Sequence, residues 1–172
     1  MRILYHKKLL FLIYVIVLAF FILLISTYNP SKASFIKYKN YEKQIDKEMD
    51  SISSSDSKTT ESYYANNCSK IHMLFNTEKC YLQIKYLYSK FSWDSGDSKT
   101  RELYLIKKQI ILNYVELYKN KFSHLINGKS YTDDTYMKNI SNLKHDYTLK
   151  DAEECEKLNI HIDDYESTDS SN

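Results

Sequence analysis

Sharp turns draw on glycine and proline, and this chain almost lacks both: it has two glycines and one proline in 172 residues. Glycine supplies the positive φ that two-residue hairpins and phosphate-cradling loops require. Its scarcity argues against β-sandwiches, Rossmann-like sheets and P-loops, and predicts a mainly α fold.

The second constraint is an uncharged run from Leu9 to Ile25, LLFLIYVIVLAFFILLI. As a helix it reaches about 25 Å. Extension to Tyr28 brings it near the roughly 30 Å of a bilayer core. This predicts a transmembrane signal-anchor over 9–28, with the lipid bilayer as its partner. Arg2, His6, Lys7 and Lys8 form a basic stub over 1–8. The bias of lysine and arginine near the run places that stub in the cytosol. The rest would lie on the lumenal or extracellular side as a type II membrane protein of the Golgi, ER or cell surface. A cleaved secretory signal has the same order of segments. The run is longer than the usual h-region of about 7–15 residues, and the best cleavage site, Ser31-Lys32-Ala33, stands well past it. Retention is therefore the preferred reading.

Beyond the run, Phe35, Tyr38, Tyr41, Ile45 and Met49 recur at helical spacing. Ser51 to Ser62 is rich in serine and threonine and reads as a flexible linker. Residues 29–62 are thus expected to be a stalk, and 63–160 a helical domain. Ile71, Leu74 and Phe75 make one apolar patch. Cys80, Ile84, Leu87, Tyr88 and Phe91 make a cleaner stripe, predicting a helix over 77–91 that a turn from Ser69 can extend backwards. The strongest helix follows, capped by Asp97 or Ser98. It carries Leu103, Ile106, Ile110, Tyr114, Leu117 and Leu125 on one face, widened by Ile111, Tyr118 and Phe122, and stops at Asn127-Gly128. A helix of that length is expected to pack antiparallel against 77–91. Residues 131–141 read as irregular. A short helix over 147–158 would turn Leu149, Ala152 and Cys155 inward. The tyrosines at 81, 86, 88, 104, 114 and 118 read as core. The expected architecture is a transmembrane helix, a stalk, a small helical bundle or long hairpin, and a disordered acidic tail over 161–172.

Charge is uneven. Residues 151–172 hold eight acids and one base, a net −7, so residues 1–150 carry +9 of the overall +2. The lysines are scattered as on solvated helix faces, and no nucleic-acid partner is predicted. Cys68 and Cys80 would close a short loop and are the preferred disulfide in an oxidising lumen, leaving Cys155. Asn67-Cys68-Ser69 and Asn139-Ile140-Ser141 are N-glycosylation sequons. There is no C-x-x-C, H-E-x-x-H, Walker A, G-x-G-x-x-G or G-x-S-x-G. His161-Ile162-Asp163-Asp164 reads as solvated charge rather than a metal site. No catalytic, cofactor-binding or metal-ligating residue is assigned.

The segment Cys68-Ser69-Lys70-Ile71-His72-Met73-Leu74-Phe75, with Leu87-Tyr88 and Ser92-Trp93, resembles the helical region behind the stem of fungal alpha-1,3-mannosyltransferases. The resemblance covers about 60 residues and includes no catalytic motif. It implies a stem or a degenerate fragment of a Golgi glycosyltransferase. The family's nucleotide-sugar domain and acidic metal motif have no counterpart here. The preferred reading is a non-enzymatic, membrane-anchored helical domain that meets a protein partner or a second copy of itself.

Overall fold

The computed structural model describes residues 13–22, 29–94, 97–128 and 134–161. All regular structure among them is α-helical: α1 (13–22), α2 (Pro30–Tyr64), α3 (Lys70–Lys90), α4 (Ser98–Asn127) and α5 (Asp134–Lys157). The mainly α expectation holds.

Helices α2, α3 and α4 each begin where a short polar side chain satisfies free N–H groups. Asn29 accepts from the amides of Ser31 and Lys32, with Pro30 in the first turn. Ser69 accepts from the His72 amide and Asp97 from the Thr100 amide. The expected end of α4 is also met: Gly128 adopts φ 66° and returns its N–H to the His124 carbonyl. At the α2–α3 turn Asn66 takes the left-handed conformation, with φ 59°.

Helices α2, α3, α4 and α5 run alternately up and down, each packed along the next. The pairing of α3 with α4 is the one read from the sequence. Cross-links show the opposed directions: Ser55 to Asn76 between α2 and α3, and Asn120 to Tyr136 and Glu102 to Lys150 between α4 and α5. One core runs through the four. It contains Phe35, Tyr38, Ile45 and Ile52 from α2, Cys80, Ile84 and Leu87 from α3, Leu103, Ile111 and Tyr118 from α4, and Ile140 and Tyr147 from α5. The chain between α3 and α4 adds an aromatic cluster. Tyr41 stacks on Phe91 and Trp93 at centroid distances of 5.5 and 5.8 Å, and Phe91 packs on Tyr104 at 5.0 Å.

Four expectations are corrected. The stalk over 29–62 is a bundle helix. Its stripe of Phe35, Tyr38, Ile45 and Met49 is helical as predicted, but it is buried in the core. The serine-rich linker is the last third of the same helix. Ile52 is buried there, Ser55 bonds Asn76, and Asp56 and Thr60 both receive Lys121 of α4. Polar packing replaces the missing apolar stripe.

Second, α5 starts well before 147. Leu149 and Ala152 point outward, while Ile140, Tyr147 and Glu154 face in. Third, Tyr86, read as core, is exposed on α3 together with Ile71 and Phe75 of the apolar patch.

The fourth correction concerns the membrane. No helix among the described residues is long and apolar enough to cross a bilayer. The single-pass type II reading therefore falls. Residues 9–12 and 23–28 of the expected anchor, the stub over 1–8 and the tail from 162 lie outside the described residues.

Candidate functional site

Helices α2 and α5 do not pack backbone to backbone. Long side chains bridge them, and a cluster of buried charges collects in that seam. Lys39 of α2 places its Nζ 2.6 Å from Glu42 Oε2 and 2.9 Å from Asp151 Oδ2 of α5. Lys107 of α4 sits 3.0 Å from Glu42 Oε1 and also pairs with Asp46. Tyr147 donates to the Tyr38 hydroxyl at 3.4 Å, and both ammoniums lie over the Tyr147 ring at about 5 Å from its centroid.

These contacts set the protonation of the seam. Burial pushes the Glu42 carboxyl upward, but Lys107 and Lys39 outweigh it and hold the group below the usual carboxylate range. Burial raises Asp46 and Asp151 against the same lysines. Burial also works against the Lys39 charge, yet Glu42 and Asp151 prevail and raise it. The phenols of Tyr38 and Tyr147 are pushed far up, chiefly by burial. One oxygen of Asp151, Oδ1, is buried without a hydrogen-bond partner.

Beside this seam opens a cleft of about 160 Å³, lined by Asp46, Asp50 and Ser53 of α2, Lys107 and Tyr114 of α4, and Lys144 of α5. Its cations are already engaged. Lys107 is held by Glu42 and Asp46, and Lys144 donates to the Tyr114 hydroxyl at 3.2 Å. The arrangement locks three helices in register. Among the described residues, no group of three or more His, Cys, Asp or Glu side chains is placed to hold a metal ion.

The residues singled out from sequence fall elsewhere. Asn67 lies exposed in the α2–α3 turn, and Asn139 lies exposed in the second turn of α5. All three cysteines are free thiols. Cys68 precedes α3 and donates to the Thr59 carbonyl, whereas Cys80 is buried against the Ile52 carbonyl. Ten residues of helix from Lys70 carry Cys80 about 15 Å along the axis. That exceeds the roughly 7 Å between Cα atoms that a disulfide tolerates, so the Cys68–Cys80 bridge is not made. Burial lifts the Cys80 thiol to about 11, which keeps it protonated. Of the six tyrosines read as core, Tyr104 and Tyr118 are buried, Tyr81, Tyr88 and Tyr114 pack against the core partly buried, and Tyr86 is exposed.

The feature that the sequence reading did not separate out is the outer face of α3. Ile71, Phe75, Leu82 and Tyr86 are 66, 64, 54 and 57 % exposed. At about 100° per residue they fall within an arc of about 60°. The buried set Met73, Thr77, Cys80, Ile84 and Leu87 is centred about 170° away. Helix α3 therefore has two opposed apolar stripes, and only one is covered by the bundle.

Comparison with protein-family models, curated proteins and solved structures finds no match. The likeness to the mannosyltransferase stem therefore rests on the quoted residues alone.

Proposed function

We propose that this bundle is a protein-association module and that α3 is its binding helix. The observation that carries the reading is the outward stripe of Ile71, Phe75, Leu82 and Tyr86. Four large apolar side chains aligned on one face, opposite the face that holds the fold, leave apolar surface in water. Isolated exposed apolar residues are ordinary, whereas a contiguous row marks an interface. A helix presenting anchors over four turns is a recurrent way to recognise another helix or a groove. The charged seam supports the reading indirectly, because its cations are spent on internal carboxylates and hold the scaffold rigid.

The test is site-specific photocrosslinking in the protein's native cells. A benzophenone side chain at position 75 or 82 should give a discrete adduct, while the same probe at Lys119, exposed on α4, should give none. Equal labelling at all three positions, or none at 75 and 82, would overturn the assignment.

A further inference from the structure

We infer that the occupant of the α3 face is a second copy of this chain, paired in parallel about a two-fold axis running along the two α3 helices. This deepens the association reading and rests on it.

The argument is one of charge placement. The apolar stripe has a midline, and Glu78 and Lys79 stand at its centre, with Phe75 below and Leu82 above. On a straight helix Glu78 projects about 50° to one side of that midline and Lys79 about 50° to the other. Neither makes an ion pair within the protomer among the described residues. Lys85 and Lys90, further from the midline, turn onto the rings of Tyr81 and Tyr86.

A two-fold axis parallel to the helices brings opposite flanks together at one height. Each Glu78 then meets its partner's Lys79, twice by symmetry. Ile71, Phe75, Leu82 and Tyr86 each meet their own counterparts. The antiparallel two-fold brings like flanks together and sets Glu78 against Glu78 and Lys79 against Lys79. The apolar spacing suits either arrangement, and the charges select the parallel one. The face is one helix wide, below the area of a standard stable interface, so the pairing is weak.

The experiment uses the full chain with Cys68→Ser and Cys155→Ser, leaving Cys80 buried. Phe75→Cys and Leu82→Cys are introduced separately and oxidised mildly, singly and as a mixture. Parallel pairing predicts that each variant alone forms an intermolecular disulfide with itself. A disulfide only between Phe75→Cys and Leu82→Cys in the mixture means an antiparallel pair and overturns the inference. No disulfide in any arm overturns it too. Charge reversal gives the second readout. Glu78→Lys should weaken self-association about tenfold, and adding Lys79→Glu should restore it, with far-UV circular dichroism unchanged throughout. A Glu78→Lys protein that associates as tightly as wild type contradicts the charge argument. The crosslinking arm separates the two proposals. An adduct of twice the chain mass supports self-pairing, a discrete adduct of another mass leaves the association module standing without it, and no adduct removes both.

Discussion

Three tyrosines carry hydroxyls deep in the bundle: Tyr38, Tyr118 and Tyr147, none more than 8 % exposed. Burial raises all three phenols above their ordinary value. In the unfolded chain they lose their protons near pH 10, while the folded protein keeps them. Their stabilising contribution is therefore complete below pH 10 and falls as pH rises toward the folded values. Three such groups remove about 4 kcal/mol per pH unit. Urea unfolding between pH 9 and 12 should show that slope, reduced by about a third in Tyr147→Phe; an unchanged slope in the variant would contradict the assignment. Lys39, raised above its ordinary value by Glu42 and Asp151 against the opposing effect of burial, adds to the loss only above about pH 10.5.

Lys107 ties Glu42 to Asp46. Lys107→Met leaves Asp46 without its cation and Glu42 with one of two, so stability should fall by about 3 kcal/mol in urea titrations. A smaller cost belongs to Gly128. A Cβ there meets nothing within 4 Å, so Gly128→Ala should lose only the left-handed backbone penalty, about 1 kcal/mol.

At the scale of the helix, α2 makes the sharpest prediction. Ser54 is exposed in its second half. A flexible linker would accept proline there without loss. In the helix the ring removes a hydrogen bond and clashes with the preceding turn. Ser54→Pro should cost about 3 kcal/mol and lower helix content, as read by thermal unfolding in circular dichroism; an unchanged midpoint would return residues 51–62 to a linker. The sequence hid the last third of this helix for a physical reason. Residues 51–62 carry no apolar period, and this stretch docks through Ser55, Asp56 and Thr60 instead.

Helix α5 was obscured in the same way. Its inward row runs Tyr136, Ile140, Leu143, Tyr147, Asp151, Glu154 and Leu158, a regular three- and four-residue spacing broken to the eye by two carboxylates. By contrast the bounds of α4 were legible nearly to the residue, because its caps are Asp97 and Gly128 and an aliphatic row of Leu103, Ile110, Ile111 and Leu117 runs along its inner face. The two stripes of α3 share a period, so no pattern in one sequence could say which faces inward. Only the packing of Ile84 and Leu87 against α2 and α4 decides that. The ionic seam was invisible because Lys107 and Asp151 stand far along the chain from the Lys39–Glu42 pair they meet.

For the molecule as a whole, the division into anchor, stalk and domain gives way to one bundle that begins at Pro30 and closes through the α2–α5 side-chain seam. The exposed apolar helix α1 precedes it, and the outward face of α3 is its second apolar surface. The claim that this face binds rather than supports the fold is tested most directly by sedimentation of the full-length chain beside Phe75→Asp/Leu82→Asp. Both proteins keep α1, so association driven by α1 persists in the variant. The account predicts that the wild-type mass rises with concentration toward twice the monomer while the variant, equally helical, stays monomeric. Equal association of the two proteins would contradict it.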